Sequence, residues 1–131
     1  MTATATGRAD PMAESEGVSP EAVRDEIAQE ILKVQEEGYG VGARAIKVDV
    51  LDDTVLVVID VELAVSEQTL LNAGHGDAVK AAREAFQDAI ASTFKAIVER
   101  ATGRRVDSFS SQMNVEGLYA IELFRLHPDG S

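Results

Sequence analysis

Residues 44–63 read RAIKVDVLDDTVLVVIDVEL. Up to Val50 the period is two: Ile46, Val48 and Val50 point one way while Ala45, Lys47 and Asp49 point the other. That pattern predicts a strand with one buried face. Leu51, Asp52 and Asp53 supply a tight connection. From Thr54 to Leu63 the chain is rich in β-branched residues, and Val55, Leu56, Val57, Val58 and Ile59 are apolar on both faces. A hairpin follows, with its second strand central in a sheet.

Working outward, the segment before this hairpin predicts a helix. Ser19 can cap it, Pro20 suits the first helical position, and Glu21 suits the positive end of the dipole. Val23, Ile27, Ile31 and Val34 recur at helical spacing, and Gly38, Gly40 and Gly42 place the stop near Glu37. Beyond Met1, residues 1–18 hold only Met12 and Val18 as sizeable apolar side chains, so they read as a disordered tail ahead of one domain over 19–128. After the hairpin, Ser66 can cap a short helical turn that the stretch from Asn72 to Gly76 ends. Asp77 can then cap a helix of about seven turns whose stripe is Val79, Ala82, Phe86, Ile90, Phe94, Ile97 and Ala101, with Gly103 at its left-handed terminus. Two more strands follow, near Arg105 to Met113 and Leu118 to Leu126, joined across Asn114 to Gly117.

Two hairpins separated by a long amphipathic helix give an α+β class: a two-layer fold with a four-stranded, mainly antiparallel sheet carrying its helices on one face. The 131 residues, 45% hydrophobic and 27% charged, suit one soluble core. A net charge of -11 argues against nucleic-acid binding. The longest strongly apolar run, Val55 to Ile59, is far too short to cross a bilayer, which needs roughly 20 residues, so no direct membrane insertion is expected. The absence of cysteine excludes disulfides and thiolate chemistry and makes the cytoplasm the simplest address.

Chemistry-bearing residues are sparse. The glycines between Gly38 and Gly42 have a helix before them and a strand after, the reverse of a dinucleotide or phosphate loop. The carboxylates Asp60 and Glu62, and Asp49, Asp52 and Asp53, match no cation-binding loop, so no metal or other cofactor is assigned. Ser108, Ser110 and Ser111 lack a nucleophile elbow, and His127 reads as a surface residue. No catalytic residue is assigned and the chain is not expected to be an enzyme. The most suggestive spot for a small ligand or anion is Gly74, His75, Gly76 and Asp77, where an imidazole stands at a helix start. A lone histidine in a glycine loop more often is simply solvated.

The segment from Gly38 to Leu126 resembles the MpsC-like family, named for a sodium-translocating, membrane-potential-generating system. The resemblance rests on Gly40, Gly42 and Arg44; on Leu51, Asp52 and Asp53; on Ser66, Glu67, Gln68, Thr69, Leu70 and Leu71 with Gly74 and Gly76; on Arg83, Phe86, Phe94 and Val98; and most specifically on Thr102, Gly103, Arg104 and Val106. Where the family usually has a polar, often His-containing hairpin, this chain reads Ser110 to Gly117. The resemblance implies a non-enzymatic accessory or interaction domain linked to a membrane cation or bicarbonate transport partner. An open sheet edge and a one-sided helix layer add the expectation of a homodimer.

Overall fold

The computed structural model describes residues 19–128. The tail expected over residues 1–18 lies outside the described residues. Helix α1 (Pro20–Tyr39) starts as its sequence dictates: Ser19 Oγ accepts the Ala22 N–H at 3.1 Å and proline opens the first turn. It ends later than expected, at Gly40, whose φ of 77° no branched side chain adopts easily. The helix runs through Gly38 because bareness is useful there. A Cβ on Gly38 would lie 2.5 Å from the ring of Phe86, so the glycine lets a second helix approach.

Strands β1 (Ala43–Leu51) and β2 (Thr54–Val61) form the first hairpin, with Asp52 taking the positive φ of the two-residue turn. Helix α2 (Val65–Asn72) is capped differently from expectation. Ala64, not Ser66, stands at its N-cap, and Glu67 reaches back so that Oε1 accepts the Ala64 N–H at 2.9 Å.

The long helix is in fact two, α3 (Gly76–Ala89) and α4 (Ala91–Thr102). Ile90 has φ −105° and ψ 16°, outside helical geometry, and interrupts the run. The break lets α3 lie along one edge of the sheet while α4 crosses toward α1. His75, not Asp77, is the N-cap of α3, and its side chain makes no capping hydrogen bond. The inward face of α3 also differs: Val79, Arg83 and Gln87 are buried, Ala82 is exposed and Phe86 is half-buried.

Strands β3 (Val106–Asn114) and β4 (Tyr119–Leu126) close the second hairpin. The order across the sheet is β1-β2-β4-β3, every pair antiparallel. Val55, Val57, Ile59 and Val61 of β2 and Ala120, Phe124 and Leu126 of β4 meet Ile27, Ile31, Phe94, Ile97 and Val98 from the helices. The fold is the expected α+β sheet with helices packed against it.

Candidate functional site

A seam of polar side chains runs beneath α3, where a helix packed on a sheet ordinarily presents aliphatic residues. At one end Arg83, 3% exposed, donates from Nε and Nη2 to the two carboxylate oxygens of Glu67, both at 2.7 Å. A further N–H of Nη2 meets the Glu62 carbonyl at 3.1 Å, and the guanidinium lies 3.8 Å from the centre of the Tyr39 ring. The fork of donors, the planar cation and the aromatic face fit one another as only arginine allows. Burial pushes the Glu67 carboxyl upward, but its hydrogen bonds from Arg83 and Ala64 prevail and hold it below the usual range. Burial raises the Tyr39 phenol to about 12.

At the other end sits Glu122, with no solvent exposure at all. Strand alternation places it there: Ala120, Phe124 and Leu126 share its face of β4. Gln87 Nε2 donates to Glu122 Oε2 at 3.0 Å, while Glu122 Oε1 and Gln87 Oε1 have no hydrogen-bond partner among the described residues. Ser111 faces Glu122 across the β3–β4 pair. Burial drives the Glu122 carboxyl up to about 7; Ser111 and Gln87 pull it down, and the nearby Asp88 carboxylate adds to the rise.

A pH effect with a definite sign follows. Between its unfolded value of about 4.5 and its folded value of about 7, Glu122 holds a proton in the native state that the unfolded chain has released. The stability this confers is complete below the unfolded value and is lost as pH rises through 7. The carboxyls of Glu67, Glu84 and Asp107 are shifted down, so their contribution is lost only on acidification below the ordinary carboxylate range. From pH 5.5 to 8 the wild-type chain should therefore lose about 2 kcal/mol of unfolding free energy through Glu122. Urea unfolding of Glu122→Gln should remove that slope, and an undiminished slope would contradict the assignment.

Two open clefts flank α3 and the β3 edge. One, about 560 Å³, is walled by Gly74, Gly76 and Asp77 with Lys80 and the β3–β4 turn. The sequence reading thus has three of its four loop residues on one wall. His75 is exposed and not on that wall; its backbone N–H donates to the Leu70 carbonyl at 2.8 Å. The second cleft, about 510 Å³, has Lys80, Glu84, Asp88 and Ser111 on its walls. Glu84 bridges the two layers, pairing with Lys80 at 2.9 Å and accepting the Met113 N–H of the edge strand at 3.1 Å.

A second ionic knot joins distant sequence. Arg104, just past α4, donates to the Asp52 carbonyl at 2.8 Å, to the Asp53 carboxylate and to the His127 carbonyl at 2.7 Å. It ties the first hairpin turn to the end of β4. Arg83 with Glu67 and Arg104 with Asp53 are each a pairing of two stretches that carried the resemblance, which spacing along the chain did not reveal.

The model of one protein family, described as the Na+-translocating membrane potential-generating system (MpsC), matches residues 20–127. The chain belongs to the MpsC family. No curated protein and no solved structure matches it significantly. The matched span takes in every helix and strand among the described residues, so both arginine knots and the buried Glu122 belong to the MpsC domain itself. No helix among the described residues is long and apolar enough to cross a membrane.

Proposed function

We propose that this MpsC domain is a non-enzymatic accessory component of a sodium-dependent, membrane-potential-generating system, acting from the cytoplasmic side on a partner embedded in the membrane. The family match over residues 20–127 carries this reading. With no helix able to span the bilayer among the described residues, ion passage falls to the partner and the domain contributes by binding it. The pinned geometry suits such a role, because the arginine knots fix the loops and helix ends that a partner would read. Self-association as a homodimer belongs to the same reading.

The test is affinity capture of the tagged full chain from detergent-solubilised native membranes. The expected result is enrichment of an integral membrane protein whose removal abolishes the sodium-dependent potential. Recovery of no membrane protein above a tag-only control would overturn the proposal.

A further inference from the structure

The four-stranded sheet carries its helices on one face, and no described element covers the other. Strand alternation sends Leu56 and Val58 of β2 and Ile121 and Leu123 of β4 to that bare face, where all four are partly exposed. Register makes them one patch: Val58 lies beside Ile121, and Leu56 beside Leu123. Apolar side chains crowded at the centre of a sheet, with polar ones around them, are the arrangement of an interface rather than of a solvated face.

The charges around the patch say what covers it. The chain as a whole carries -11, yet the regularly paired positions of this face hold two basic residues, Lys47 and Arg125, and two acidic ones, Asp49 and Asp60. None of the four pairs with another described residue. Lys47 is beside Val58, and Asp49, two residues on, is beside Leu56. Turning a second copy over about an axis across the strands keeps each strand above its counterpart and reverses the rows. Leu56 then meets the second copy's Val58, Leu123 meets its Ile121, and Lys47 meets its Asp49. The same operation repeats each contact, so the basic and acidic positions pair twice. Turning about an axis along the strands sets β1 over β3 instead, leaving Lys47 and Asp49 opposite Gln112 and Ser110 with no charge paired.

We propose that two copies of the chain pack their bare sheet faces together in this first arrangement, with Leu56, Val58, Ile121 and Leu123 at the centre and Lys47 of each copy against Asp49 of the other. The inference rests on the self-association reading and assigns it a surface. A patch four strands wide at about 4.8 Å and some seven residues long at about 3.3 Å gives a pair burying on the order of 1,000 Å², the range of weak, reversible dimers.

Sedimentation equilibrium of the full chain, from about 1 to 500 μM, tests it. The wild-type chain should dimerise reversibly, and Ile121→Lys should stay monomeric with an unchanged circular dichroism spectrum. Lys47→Asp should weaken the dimer by about tenfold, since each copy then sets two like charges against the other. Adding Asp49→Lys to it should restore most of the affinity, a rescue that a merely structural effect would not produce. A dimer insensitive to all three variants would leave self-association standing and overturn this surface. A chain that stays monomeric throughout would overturn both.

Discussion

Replacing Arg83 by alanine is expected to lower the unfolding free energy by about 3–5 kcal/mol, the range for removing one partner of a buried ion pair. The side chain is 3% exposed and Glu67 only 16%. Its loss leaves the Glu67 carboxylate, short of water, with the Ala64 N–H as its remaining partner, and it removes the guanidinium from the Glu62 carbonyl and from the face of the Tyr39 ring. The cost comes from stranded polar groups more than from lost Coulomb attraction. Arg83→Met combined with Glu67→Gln should therefore be milder than Arg83→Met alone, because the second change removes the stranded charge. Urea unfolding of the three variants decides it. A loss under about 1 kcal/mol for Arg83→Ala would mean that the pair is solvated and does not pin α2 to α3.

Phe94→Ala should cost a similar amount, about 3–5 kcal/mol, by a different mechanism. Phe94 is wholly buried near the start of α4. Its ring stands edge-on to Phe109 at 6.0 Å between centroids, and Phe109 is tilted against Phe124 at 4.8 Å. Truncation opens a cavity between α4 and the sheet that neighbouring strands, fixed by their hydrogen bonds, cannot collapse to fill. Phe94→Leu, which keeps most of the volume, should lose less than half as much. If both variants unfold alike in urea, the aromatic cluster is not where the packing energy of this layer lies.

The two mutations mark what could and could not be read from the chain. Phe94 was legible because apolar residues at steps of three and four locate a buried face. The hairpins were legible for the analogous reason at period two, and Ser19 and Gly103 announced helix ends by chemistry specific to those positions. Arg83 and Gln87 were not, since a periodicity built from apolar residues assigns polar ones to solvent. The true inward face of α3 was displaced from the stripe that Ala82 and Phe86 suggested. The break at Ile90 escaped for a related reason: the apolar stripe continues through it, so nothing local distinguishes a straight helix from one folded around a twisted sheet. Glu122 was hidden by symmetry. Tyr119, Ile121 and Leu123 make the opposite face of β4 as apolar as its own, so alternation alone could not say which face was the core.

That two-sided apolar strand now has a physical account. Its inner face builds the core, and its outer face is the one assigned to a second copy. A conserved architecture is not required for this; the register alone brings the residues together.

The most direct test of the functional account is the sodium-dependent membrane potential of cells lacking this chain, measured with a voltage-sensitive dye as external sodium is raised. Deletion should collapse the sodium-driven part of the potential while leaving the respiratory part intact, and supplying the chain from a plasmid should restore it. A potential that responds to sodium identically with and without the chain would contradict the proposal that this domain serves a sodium-driven membrane system.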